Sequence, residues 1–304
     1  MTTTINLYAL PGNEARAERI AQALQQRGQD ARVAACAVHR FPDSESLLRL
    51  DPPVPDNESV LVCTLDHPDA RTMPLLMAAA TLRELGARRV GLVAPYLAYM
   101  RQDARFAPGQ AISARIYAQL LSAHCDWLLT VDPHLHRIHD LGEIYTLRAR
   151  ALHAAPLLAE WITRNVSQPL ILGPDGESAQ WAEDVARRVG APVLVLDKTR
   201  LGDSAVRVSV PDLTRWPGHT PVLIDDVISS GRTLIAALDH LRAQHTPPPV
   251  CVAVHGLCAG DALPAILAAG AARVVCSNSV AHTATPIDLT ELLADGIVTM
   301  LAAP

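Results

Sequence analysis

Aromatic residues are scarce in this chain of 304 residues: Phe, Trp and Tyr together make up 4%. Single-stranded nucleic acid is held largely by bases stacked on aromatic rings, so no nucleic-acid partner is expected. An excess of charge of one sign is also lacking. Lys and Arg number 26 against 31 Asp and Glu, a net charge of −5, which excludes a general pull toward polyanions or anionic membranes. No apolar run is long enough to span a bilayer, because the longest, residues 249–276, is broken by His255, Asp261, Pro264 and Arg273. The N-terminus shows neither the basic nor the apolar stretch of a secretory leader. The six cysteines include no CxxC pair, so reduced thiols in a cytoplasm are expected.

What is there is a chain that is 49% apolar and 19% charged, the balance of a packed globular protein, and longer than one core usually organises. Short Val/Ile/Leu runs alternate with helical patterns. "INLYAL", "SVLVCTL", "RVGLVAPY" and "DWLLTVD" read as strands in the first half, and "PLILGPD", "PVLVLDK", "PVLIDDV", "VCVAVHG" and "RVVCSNS" in the second. Near-continuous apolar strands separated by helices predict mainly parallel sheets covered on both faces, which bind ligands beyond the carboxyl ends of their strands. A weak internal repeat is also visible. Sliding "LVCTLDHPDARTMPLLMAA" by 161 positions lays it on "VLIDDVISSGRTLIAALDH", with Arg71-Thr72 over Arg232-Thr233. The acidic pair of the second copy is replaced by Thr64-Leu65 in the first, so the chemistry is expected in the second copy only.

That acidic pair, Asp225-Asp226, ends an apolar run and is followed by Ser229, Ser230, Gly231, Arg232, Thr233 and a helix. Backbone N–H groups at a helix start, with nearby hydroxyls, grip a phosphate. Two carboxylates just upstream repel that phosphate, but they accept hydrogen bonds from sugar hydroxyls, directly or through Mg²⁺. Phosphate on one side and vicinal diol on the other describes ribose 5-phosphate. The histidines of "VDPHLHRIHD" invite a zinc reading, but no cysteine or further carboxylate completes a tetrahedral set.

The segment 221–238 resembles the phosphoribosyl diphosphate motif of the phosphoribosyltransferase fold. "RFPDSES" at 40–46, "APYLAYMRQDARFAPGQAISARI" at 94–116, "VDPHLHRI" at 131–138, "LILGPDGES" and "LDKTRLGDSAVRV" narrow the resemblance to the ribose-phosphate diphosphokinase family. "KTRLG" and the Ser-Ser-Gly loop look closer to its archaeal-type branch.

The resemblance implies two tandem phosphoribosyltransferase-like, Rossmann-like α/β domains: residues 1–152, and residues 153–286 with the ribose 5-phosphate site, while 287–304 packs back on the first. It implies transfer of the β,γ-diphosphoryl group of ATP to the C1 hydroxyl of ribose 5-phosphate, an early step of nucleotide biosynthesis, with Mg²⁺ as cofactor and a homodimer or higher homo-oligomer as the working form. Phe41 is expected to stack on adenine, with Asp43 and Glu45 at the base or at the neighbouring subunit's site. Arg101 and Gln102 are expected on ATP, with Asp103 supporting their loop, and His134 on the metal–nucleotide. Asp175 is expected to bind Mg²⁺, and Lys198 and Arg200 to reach the transferring group from a mobile loop. Asp225, Asp226, Ser229, Ser230, Gly231, Arg232 and Thr233 are expected to hold ribose 5-phosphate. Two departures stand out: Ser44 occupies a position where the family usually has glycine, and Glu177-Ser178 replaces glycines in the diphosphate loop. The alternatives are a phosphoribosyltransferase that consumes phosphoribosyl diphosphate and a catalytically silent regulatory homologue.

Overall fold

The computed structural model describes residues 4–54, 57–173, 179–201, 205–209, 213–244 and 246–302; for 180, 197–201 and 205–209 it describes the backbone. The chain divides into two compact units, Met1–Leu152 with Leu289–Pro304, and His153–Asp288.

The first unit contains a six-stranded parallel sheet. Its strands are β1 (Ile5–Ala9), β2 (Ala31–Ala34), β5 (Glu58–Val62), β6 (Arg89–Ala94), β7 (Trp127–Val131) and β8 (Arg148–Leu152), in the order β2-β1-β5-β6-β7-β8. An antiparallel hairpin, β3 (Cys36–Arg40) and β4 (Ser46–Leu50), follows β2. Every residue of β1, β5 and β7 is buried, which requires helices on both faces of the sheet. Those helices are α1 (Glu14–Gln26), α2 (Pro68–Glu84), α3 (Ser113–Ser122) and, from the far end of the chain, α8 (Thr290–Ala302). Apolar burial and charge both hold α8 in place: Leu293, Ala294, Ile297 and Met300 are buried, and Arg27 bonds Glu291 at 2.8 Å and Asp295 at 2.7 Å.

The second unit repeats the plan. Strands β9 (Pro169–Gly173), β10 (Val193–Val195), β13 (Thr220–Ile228), β14 (Val250–Gly256) and β15 (Arg273–Cys276) form a parallel sheet in the order β10-β9-β13-β14-β15. Its helices are α4 (Ala155–Asn165), α5 (Ala179–Val189), α6 (Arg232–Ala243) and α7 (Ala262–Ala268). A second antiparallel hairpin, β11 (Asp197–Leu201) and β12 (Ala205–Ser209), follows β10 as the first follows β2. The shift of 161 positions carries β3 onto β11, so the repeat extends to these hairpins, beyond the stretch that the sequence displays.

Two elements differ from expectation. Lys198 and Arg200, expected in an extended loop, lie on β11 and pair with Val208 and Val206. Strand β8, "RARAL", exposes alternate arginines at the sheet edge, and its short mixed pattern carries no strand signal of its own. Among the described residues no helix is long and apolar enough to cross a membrane.

Candidate functional site

Strand β13 runs through the middle of its sheet. It pairs with β9 only as far as Leu223↔Leu172, but with β14 as far as Ile228↔Gly256. Asp225 and Asp226 stand on the overhang, past the last residue paired with β9. In this strand order the overhang marks the point where the chain switches direction of winding, the usual position of ligands in open α/β sheets. Both carboxylates are half-buried, and Asp225 Oδ1 accepts the Asp226 N–H at 3.0 Å.

The next turn leads into α6. Gly231 is the N-cap residue, with φ of +72°, and no side chain caps the helix. A β-carbon at Gly231 would lie 2.7 Å from Ile266 Cδ1 on α7, so both the backbone angle and the packing demand glycine. Without a capping side chain, the first N–H groups of α6 are available to an anion, beside Ser229, Ser230 and Thr233. Two backbone bonds brace the turn from the loop after β14: Cys258 N–H to Ile228 O at 3.0 Å, and Ala259 N–H to Ser229 O at 3.1 Å. Below it, the polar groups of "SNSV" are partnered: Ser277 Oγ donates to Val254 O at 2.6 Å, and His255 Nδ1 meets Ser279 Oγ at 2.8 Å.

The equivalent place in the first unit is filled by the protein's own groups. Buried Arg16 donates to Asn13 Oδ1 at 2.8 Å and to Thr64 Oγ, while the Thr64 N–H donates to Asn13 Oδ1 at 3.0 Å. Arg71 pairs with Asp66 at 2.9 Å and donates to Pro11 O at 3.0 Å.

In the first unit, the segments carrying Arg101-Gln102 and His134 follow the adjacent strands β6 and β7. Asp103 joins them: its carboxylate, 3% exposed, accepts from the Arg137 backbone N–H and from the guanidinium, both at 3.1 Å. Arg137 also lies over the Phe106 ring, 5.0 Å from its centre. Arg137 went unnoticed in the sequence, although it sits three residues after His134. Gln102 is fixed within its own loop by Gln110 Oε1 at 3.3 Å and Ala104 O at 3.4 Å, and Arg101 is exposed. Asp132 is buried at the end of β7 with φ of +33°, and its N–H donates to Leu152 O. His134 and His136 pack edge to face at 4.0 Å. His136 is half-buried and His139 is exposed.

Phe41, Asp43 and Glu45 stand at the tip of the β3–β4 hairpin. Phe41 is 41% exposed, with His39 edge-on at 4.8 Å. The tip is closed by Ser44 N–H to Phe41 O and Phe41 N–H to Glu45 O, both 2.9 Å, and Asp43 Oδ1 accepts the Glu45 N–H. Ser44 has φ of +75°, so the loop keeps the left-handed conformation that a glycine would take there. Next to the tip, Arg40 donates to Ala70 O at 2.9 Å at the start of α2, where Asp69 accepts from the Tyr99 hydroxyl, two residues before Arg101. Asp175, Glu177 and Ser178 lie outside the described residues, as does the tip of the β11–β12 hairpin.

Comparison with known proteins places this geometry. Residues 5–124 match the family described as the N-terminal domain of ribose phosphate pyrophosphokinase, and residues 140–287 match the phosphoribosyl transferase domain. The ribose-phosphate pyrophosphokinase of Methanobrevibacter smithii is 31% identical over 84% of this chain and 89% of its own. That of Methanothermobacter thermautotrophicus is 32% identical over 88% of this chain and 92% of its own. In fold, the chain is similar to the phosphoribosylpyrophosphate synthetase of Mycobacterium smegmatis, with a TM-score of 0.86, 24% identity and 99% of each chain covered. With both halves matched and relatives this similar along most of their length, the chain belongs to the ribose-phosphate pyrophosphokinase family.

Proposed function

We propose that the chain transfers the β,γ-diphosphoryl group of ATP to the C1 hydroxyl of ribose 5-phosphate, giving phosphoribosyl diphosphate and AMP. The observation that carries this reading is the β13 overhang, where two half-buried carboxylates stand beside an uncapped helix start. Asp225 and Asp226 receive the ribose hydroxyls; Ser229, Ser230, Gly231, Arg232 and Thr233 receive the 5-phosphate. Arg101, Gln102 and His134 hold ATP, with Asp103 and Arg137 fixing the two segments that present them. The C1 oxygen attacks the β-phosphorus, the bond from that phosphorus to the bridging oxygen of AMP breaks, and the hydroxyl proton passes to water. Such a transfer asks the protein for alignment and for cations beside the phosphoryl oxygens, the role of Lys198 and Arg200.

Mg²⁺ accords with the donors: carboxylate oxygens are its preferred protein ligands, and Asp225 and Asp226 supply them in a partly buried setting. When bound, the ion neutralises charge on phosphoryl oxygens; His134 and Asp175 are the residues proposed to hold it with the nucleotide. Phe41, Asp43 and Glu45 complete the nucleotide site of a second copy of the chain, in a homodimer or larger homo-oligomer within the cytoplasm.

Incubation with ATP, Mg²⁺ and ribose 5-phosphate is expected to yield AMP and phosphoribosyl diphosphate in equal amounts. Release of diphosphate from phosphoribosyl diphosphate and a nucleobase would instead identify a phosphoribosyltransferase, and ATP binding without AMP a silent homologue. Lys198→Ala is expected to lower kcat by about 100-fold or more while leaving the Kd for ribose 5-phosphate nearly unchanged.

A further inference from the structure

The six cysteines are all unbridged, but they are not alike. Burial pushes the Cys63, Cys125 and Cys251 thiols up to about 12, and Cys36 to about 11, so all four are poor nucleophiles at neutral pH. Cys258 and Cys276 are hydrogen-bonded to one another. They meet where β14 and β15 end, over the one residue there without a side chain. A β-carbon placed on Gly256 would lie 2.8 Å from Cys276 Sγ and 3.7 Å from Cys258 Sγ. Cys258 itself has φ of +43°, in the left-handed region that residues with a β-carbon avoid.

This pair is wired to the turn before α6. The N–H groups of Cys258 and Ala259 donate to Ile228 O and Ser229 O, at the entrance to the Ser-Ser-Gly turn. Gly231, at its exit, rests on Ile266 of α7, the helix that follows Cys258.

We propose that Cys258 and Cys276 close into an intramolecular disulfide under peroxide, and that closure pulls the 228–231 turn out of its ligand-binding form. Cys258 reacts first, because the hydrogen bond from Cys276 lowers its pKa while raising that of its partner. The Cys258 thiolate sulfur attacks one oxygen of hydrogen peroxide; the O–O bond breaks, giving a sulfenic acid and hydroxide, which leaves as water. Cys276 sulfur then attacks Cys258 sulfur, the S–O bond breaks and a second water departs. Two thiols and one peroxide thus become one disulfide and two waters, and a dithiol reductant reverses the change. The loss of binding rests on the placement of ribose 5-phosphate proposed above; the disulfide does not.

The full chain is treated with a few equivalents of peroxide, blocked with iodoacetamide, cut with trypsin and analysed by mass spectrometry. Peptide 243–273 is expected joined to peptide 274–304, lighter by two hydrogen atoms than the two together once the blocking group on Cys251, the one thiol left in the pair, is counted. By calorimetry the Kd for ribose 5-phosphate is expected to rise at least about tenfold and to recover with dithiothreitol. Cys258→Ser and Cys276→Ser are expected to bind ribose 5-phosphate as the reduced protein does and to ignore peroxide, with Cys258→Ala as the second variant should either serine disturb folding. Cys36→Ser is expected to respond like the unmodified chain. Absence of the joined peptide, or its survival in Cys258→Ser, overturns the proposal; so does a joined peptide with unchanged affinity. A joined peptide in a protein that fails to bind ribose 5-phosphate even when reduced overturns the assignment of the turn, and with it the switch.

Discussion

Ser44 and Gly231 share a backbone conformation but stand in opposite circumstances. Ser44 carries a β-carbon through φ of +75° at an exposed hairpin tip, where nothing but the local turn demands it. A left-handed residue with a β-carbon costs about 1–2 kcal/mol, part of which glycine returns as backbone entropy in the unfolded chain. Ser44→Gly is therefore expected to stabilise the protein by about 0.5–1 kcal/mol, seen as a higher midpoint in urea with an unchanged slope. Gly231 is confined by its angle and by Ile266 at 2.7 Å. Gly231→Ala is expected to cost about 2–4 kcal/mol of stability and to raise the KM for ribose 5-phosphate at least about tenfold. Adding Ile266→Ala makes room for the new methyl group but leaves the angle strained. The double variant should thus recover only part of the lost affinity, and full recovery would show that packing alone sets the turn.

At the scale of elements, the segments after β6 and β7 hold together through one buried carboxylate. Asp103→Ala leaves the Arg137 N–H without its acceptor and loosens both segments at once. The KM for ATP is expected to rise several-fold while that for ribose 5-phosphate stays within about twofold, at a stability cost of about 1–3 kcal/mol. Equal rises in both constants would mean that the link serves the whole unit and not the nucleotide. The strands that carry these segments were legible in the sequence, because each is a continuous apolar run buried on both faces. Edge elements were not. Strand β8 shows alternating arginines, and the hairpins expose one side of each strand, so neither declares its partner. The phosphate turn could be read from Asp225 to Thr233 because its residues are contiguous. The Asp103–Arg137 link spans 34 positions, and nothing local announces it. The filled cradle of the first unit was half legible: Thr64-Leu65 showed the carboxylates gone, but Arg16, which fills the gap, lies 48 positions from Thr64 and nothing local announces it.

Over the whole molecule, the proposed homo-oligomer raises the matter of which chain's hairpin serves each proposed nucleotide site. Arg101 and His134 follow β6 and β7, whereas Phe41 stands at the tip of a hairpin that follows β2, the far strand of the same sheet. An exposed Phe41 and a Leu47 that is 56% exposed are costly to leave in water and suit burial against a second copy. If the hairpin serves the neighbour's site, two different inactive chains must be able to rescue each other. In a dimer of Phe41→Ala with Lys198→Ala, one site lacks both groups, while the other combines an intact Lys198 with the hairpin of the second chain. Random pairing of equal amounts makes half the dimers mixed, so about a quarter of all sites should be active. The measurement is the rate of AMP formation after the two variants are mixed under conditions that exchange subunits, compared with each variant alone. Recovery toward about a quarter of the wild-type rate assigns the hairpin to the neighbour; a mixture no more active than the mean of its parts places Phe41 in its own chain's site, and the second copy then has no part in binding ATP.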